Sequence, residues 1–226
     1  MICLGLDTAL GACSAALADE TGLIARRFEP MAIGHAEAVA PMTEALLKEA
    51  GLTFVDLGRI AVTTGPGTFT GQRIGLAFAR GLALALKIPC AGVTTLEAIA
   101  AAARAEHPGR PVLVTSDAKR GEAYVQAFGA DCVALNEPAL VTYEAATEMA
   151  RTLGDDAVLA GTASALLNLP GLTVAAADQP DAAVVARLGL AQPVPDHPPH
   201  PLYLRAPDAK VAGPLKAPPP QRRDRT

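Results

Sequence analysis

The chain has 226 residues and a formal charge of −4; half of its residues are hydrophobic, 4% are aromatic and none is tryptophan. That length accommodates one large domain or two lobes of about 100 residues each. The acidic balance argues against a protein that grips nucleic acid by itself, and the scarcity of rings argues against base stacking on exposed aromatics. Cys3, Cys13, Cys90 and Cys132 form no Cys-x-x-Cys pair, so they read as small buried hydrophobes in a reducing, cytoplasmic setting rather than as a disulfide frame. Met1 to Asp7 runs directly into a strand pattern and is not expected to be a signal peptide, and no apolar span approaches membrane-crossing length.

Taken in chain order, residues 2–6, 13–18 and 23–28 read as three strands joined by short turns, an antiparallel meander. Residues 35–50 read as a helix ended by Gly51, with Val39, Met42, Leu46 and Leu47 on one face. A buried strand over 60–64, a glycine-rich joint, a helix over 69–86 and a helix over 96–105 complete a first lobe, residues 1–108. The turn-rich Pro108-Gly109-Arg110-Pro111 marks its boundary. A second lobe, 109–208, restarts with strands at 112–116 and 123–128, then a helix at 143–153, a strand at 157–160 and a helix at 181–190. Residues 209–226 carry Lys210, Lys216, Arg222, Arg223 and Arg225 among prolines, and read as a solvated, disordered tail.

The joint is the stretch Gly65-Pro-Gly-Thr-Phe-Thr-Gly-Gln-Arg-Ile-Gly75. Gly65 to Gly67 offer backbone conformations closed to residues with a β-carbon, and Thr68 or Thr70 can cap the following helix, whose first N–H groups could face an anion. A Walker loop would end in Gly-Lys-Ser or Gly-Lys-Thr, whereas this one reads Gly71-Gln72-Arg73. Gly71 and Gly75 share one helix face with Ala79 beyond them, which favours close packing as the main role.

This stretch, with the opening Ile2-Cys-Leu-Gly-Leu-Asp7-Thr8, the later Asp117-Ala-Lys-Arg-Gly121-Glu122-Ala-Tyr124 and the late Tyr203-Leu-Arg205, resembles the bacterial TsaB (YeaZ) family across most of the chain. The resemblance implies an α/β, two-lobed actin-like fold of the sugar-kinase-like (ASKHA) superfamily. It also implies membership of the machinery that makes threonylcarbamoyladenosine at position 37 of tRNAs reading codons beginning with A. The implied role is a non-catalytic subunit that stabilises and activates a TsaD-type paralogue, with a TsaE-type ATPase reached through the complex, a homodimer when alone, and tRNA only as the substrate of the complex. The paralogue carries a metal-binding His-x-x-x-His pair; here Gly34-His35-Ala36-Glu37-Ala38-Val39 puts Val39 in the place of the second histidine, so no metal site of that kind is expected. Gln72 stands where the resemblance leads to an aliphatic residue.

Asp7 and Thr8, after the first strand, either present a carboxylate to a metal-bound phosphate such as that of ATP or ADP, or close a turn onto their own backbone; Asp117 is the matching carboxylate of the second lobe. His35 reads as a capping or surface histidine. His197-Pro-Pro-His200 has ligand spacing but no supporting thiolates, and Ser14, Ser116 and Ser164 lack a nucleophile elbow. No catalytic residue is assigned and no cofactor is expected. An ATP-handling or peptidase-type enzyme of the same superfamily, acting alone, is the alternative. In the resembled family the first two helices pair with those of the paralogue, which points to Ala36, Val39, Met42, Gly71, Gly75, Phe78 and Leu82 as the partner interface.

Overall fold

The computed structural model describes residues 1–205. The meander forms as expected from its apolar runs and short turns: β1 (Ile2–Asp7), β2 (Ala12–Asp19) and β3 (Gly22–Pro30) pair antiparallel in succession. The chain then crosses through α1 (His35–Glu49) to β4 (Leu57–Thr63), and through α2 (Phe69–Leu86) to β5 (Cys90–Val93). Both new strands run parallel to β1's direction, giving the order β3-β2-β1-β4-β5. Leu4, Leu6, Ile60 and Val62 point to α1 and α2, where they meet Val39, Met42, Leu46, Leu76 and Ala79. Cys3 and Ala61, one residue out of phase, point to the opposite face.

The second sheet, ordered β10-β9-β6-β7-β8, is built from β6 (Val112–Lys119), β7 (Glu122–Phe128), β8 (Ala139–Thr142), β9 (Val158–Ala160) and β10 (Thr173–Val174). α4 (Tyr143–Leu153) seals one of its faces, setting Ala146 with Val125 and Ala150 with Leu113 and Ala127.

The remaining two helices are exchanged between the sheets. α3 (Thr95–Glu106), started by a capping box between Thr94 and Glu97, lays Leu96, Ile99, Ala100 and Ala103 on Val112, Val114, Tyr124 and Phe128 of the second sheet. α5 (Ala182–Ala191) lays Val185 and Ala186 on Cys3, Ala61 and Ala91 of the first. The helix read at 96–105 therefore covers the second lobe's sheet and that at 181–190 the first lobe's, the reverse of their sequence assignment. Periodicity reveals that a helix has a buried stripe, not which surface receives it.

α5 lies unusually close because small residues meet small residues. A β-carbon on Gly5 would overlap the Ala182 carbonyl, and one on Gly189 would overlap the Ala61 side chain. At the other end, buried Arg59 of β4 donates to the carbonyls of Gly189 (2.6 Å) and Gln192 (2.7 Å), a cation set against the negative end of the helix.

Beyond α5 the chain returns along the seam between the sheets. The Leu202 N–H donates to the Thr64 carbonyl at 2.8 Å, Pro199 packs beside Gly92, and Arg205 donates to the Ala118 carbonyl at 2.7 Å while pairing with Glu122. This strap joins the first sheet to the β6–β7 hairpin. The tail expected at 209–226 lies outside the described residues.

Candidate functional site

Several N–H groups in and beside the glycine joint are satisfied inside the chain. Gly65 sits at φ 104° ahead of a cis Gly65–Pro66 bond, a backbone conformation that glycine adopts without strain. The Thr64 N–H donates to Val93 (2.8 Å) and the Thr68 N–H to Ala9 (2.8 Å). Thr68, of the two threonines considered, caps α2: its hydroxyl accepts from the Gly71 N–H at 3.0 Å. Gln72, 2% exposed, occupies the space beside Gly65 that an aliphatic residue was expected to fill.

The glycine face of α2 receives the end of β1. A β-carbon on Gly71 would overlap the Thr8 carbonyl, and one on Gly75 would stand 2.6 Å from the Thr8 hydroxyl. That hydroxyl in turn donates to the Gly71 carbonyl at 2.7 Å. Thr8 thus serves as a bolt between strand and helix.

Asp7 is fully buried beside it. One carboxylate oxygen accepts from the Thr63 hydroxyl (2.6 Å) and the Ala9 N–H (3.1 Å); the other has no partner. Burial pushes this carboxyl up to about 7, against the opposing pull of those hydrogen bonds. Asp117 is tied differently, accepting from the Lys119 backbone and ammonium (both 2.7 Å) and from the Tyr143 hydroxyl (2.9 Å). Burial raises its carboxyl, but the bonds from Lys119 and Tyr143 together outweigh that and hold it below the ordinary range. Each aspartate accepts from the backbone N–H two residues on, the bond of an Asx turn.

Two of the three serines have structural positions: Ser14 accepts from the Ala182 N–H at the start of α5, and Ser164 bonds Thr115; Ser116 is buried with its hydroxyl unpartnered. His197 and His200 are exposed; His197 lines a surface pocket with Arg80, Lys87 and Asp196. His35 opens α1 and is buried, with its Nε2 unpartnered. Among the described residues no three His, Cys, Asp or Glu side chains converge as metal ligands.

The candidate interface residues divide into two groups. Val39, Met42, Gly71 and Gly75 are buried against their own chain, so they shape the α1–α2 pair from beneath. Ala36 is exposed, and Phe78 and Leu82 are half-buried on the shoulder of α2. The outward stripe of α2 adds Ala77, Gly81, Leu84 and Ala85, with Leu84 80% exposed; Pro41 of α1 is exposed as well. α2 therefore presents a low, small-residue surface around Leu84, flanked by Arg73 and Arg80, while the exposed side of α1 carries Glu37, Glu44 and Lys48 with Pro41.

Residues 29–186 match the family model described as TsaD, tRNA N6-adenosine threonylcarbamoyltransferase. The tRNA threonylcarbamoyladenosine biosynthesis protein TsaB of Escherichia coli is 39% identical over 121 residues, which are 54% of this chain and 52% of that protein. The chain belongs to the TsaB (YeaZ) family. It spans about half the length of that curated relative, whereas an uncharacterized Mycobacterium tuberculosis protein matches at 35% identity over 92% of this chain and 93% of its own. The structure of YeaZ from Pseudomonas aeruginosa superimposes with a TM-score of 0.71 at 29% identity, covering 83% of this chain and 90% of that one. The fold of this TsaB-family chain is accordingly the two-lobed, actin-like α/β fold. Among its described residues no helix is long and apolar enough to cross a membrane.

One cluster of this TsaB-family chain was not foreseen. Arg73 stacks on Phe69, its guanidinium carbon 3.6 Å from the ring centroid, and donates to the Tyr203 hydroxyl at 2.9 Å. Arg73 and Tyr203 lie 130 positions apart, so no local pattern could have paired them.

Proposed function

We propose that the chain is a non-catalytic subunit of cytoplasmic tRNA threonylcarbamoyladenosine biosynthesis, docking on a TsaD-type paralogue and stabilising its active form for modification of adenosine 37. The observation that carries this reading is the outer face of α2. Ala77, Gly81 and Ala85 offer little side-chain bulk, so another pair of helices can approach closely and bury apolar area on the exposed Leu84 and the half-buried Phe78 and Leu82. The same face would pair with a second copy when the paralogue is absent, and a TsaE-type ATPase would join through the paralogue.

The ATP-handling or peptidase-type alternative gains less support. Asp7 is enclosed and Asp117 is engaged by Lys119 and Tyr143, so neither carboxylate is offered freely to a metal-bound phosphate. No cofactor is proposed.

The test is association. Ala77→Glu places a charge at the centre of the stripe without touching the core; it is expected to weaken the heterodimer by at least tenfold in size-exclusion and calorimetric titrations while leaving the thermal melt within about 2 °C. A wild-type chain that fails to bind a co-expressed paralogue, or an Ala77→Glu variant that binds as wild type, would remove this docking face.

A further inference from the structure

The strap and the β6–β7 hairpin assemble a cationic, ring-bearing patch on a chain whose net charge is negative. Phe69 and Tyr203 are 41% and 39% exposed, with their centroids 5.4 Å apart, and Arg73 lies over the former. Two residues beyond Tyr203, a span of at most ~7 Å, Arg205 grips the hairpin through the Ala118 carbonyl and Glu122. At the hairpin's tip Lys119 (φ 64°) and Arg120 (φ 62°) both adopt the left-handed conformation ahead of Gly121 (φ 77°). Side chains with a β-carbon pay roughly 1 kcal/mol each for that conformation, and asparagine or glycine is the usual occupant of such a turn. The turn holds two exposed cations, of which Lys119 pairs with Asp117.

We propose that this patch is a contact site for a single-stranded segment of RNA, a loop of the tRNA under the function proposed above, on which this inference rests. A base stacks on the exposed Phe69–Tyr203 surface with Arg73 contributing its planar guanidinium, and Lys119 and Arg120 meet flanking phosphates. Charge complementarity selects the occupant. Arg73, Lys119, Arg120 and Arg205 outnumber Asp117 and Glu122 in the patch, and the sequence continues past Arg205 with Lys210, Lys216, Arg222, Arg223 and Arg225 against only Asp208 and Asp224. Among the described residues, four cations against two carboxylates thus stand around the exposed rings of an acidic protein.

Fluorescence anisotropy of the full chain alone, with a labelled RNA hairpin bearing a seven-nucleotide loop and with the matching unlooped duplex, tests the site. The looped RNA is expected to bind more tightly than the duplex. Arg73→Lys, which keeps the charge but loses the plane, and the Phe69→Leu/Tyr203→Leu pair should each weaken loop binding by about tenfold. Lys119→Gln/Arg120→Gln should flatten the salt slope of log affinity by about 1.4, the share of two phosphate contacts on a single strand. Equal affinity for loop and duplex, no binding at 50 mM salt, or variants indistinguishable from wild type in melts and in RNA titrations would overturn the proposal. So would variants that bind RNA normally but lose the paralogue, since the cluster would then belong to the protein interface. Heterodimer formation by wild-type chain is read separately, so failure here leaves the docking face standing.

Discussion

Replacing Asp7 with asparagine is expected to raise the melting temperature at pH 8 by on the order of 10 °C and at pH 5 by less than half as much. The carboxyl is raised from 3.8 to about 7 in the folded chain, chiefly by burial. A raised acid binds its proton more tightly folded than unfolded. Its favourable contribution is therefore complete below the unfolded value, near pH 4, and is lost as pH climbs through about 7. Above that, folding must keep a charged, half-partnered carboxylate out of water, at a cost of up to about 4 kcal/mol. Asparagine preserves the oxygen that accepts from Thr63 and Ala9 and carries no charge. Thermal melts of both proteins from pH 5 to 8 give the difference directly, and parallel curves would show that Asp7 does not carry this burden.

Gly71→Ala should destabilise the chain by about 2–3 kcal/mol, although alanine is the better helix former. The added methyl would occupy the position of the Thr8 carbonyl and force apart the end of β1 and the start of α2. Gly81 supplies the control within the same helix: nothing lies within 4 Å of a β-carbon there, so Gly81→Ala should gain about 0.5–1 kcal/mol. Urea midpoints at constant slope measure both. If the two substitutions behave alike, the glycine face is not the close-packed joint described above.

Much of this arrangement could be read from local patterns. The meander and β4 declare themselves as short apolar runs bounded by turn residues, α1, α2 and α4 as longer runs with helix-forming composition, and Gly65 to Gly75 mark a joint because several glycines bracket a proline. β5 escaped because Cys-Ala-Gly-Val holds a single β-branched residue; it is a strand through its pairing with β4 rather than through its own composition. β10, two residues long, exists only beside β9. At the site, the turn at Asp7 was one of two legible readings, while burial of the carboxyl depends on Thr63 and α5, far away in sequence. The interface residues were drawn from helical stripes, and Val39, Met42, Gly71 and Gly75 fell on the inward side because a stripe apolar all round does not say which side the sheet takes. Exposed rings looked improbable at 4% aromatic content, yet two of them adjoin Arg73, since composition counts residues without locating them.

The exchange of α3 and α5 ties the two halves by their own upholstery. Each sheet wears a helix woven from the other half's thread, and Ala98 of α3 touches the layer formed by Val185 and Ala186 of α5. Cleaving the exposed Gly109 turn should consequently yield fragments that remain clasped in solution, and swinging one half away would strip a lining from both. Such a molecule melts as a single unit and offers its neighbours a stiff plate instead of a pair of jaws.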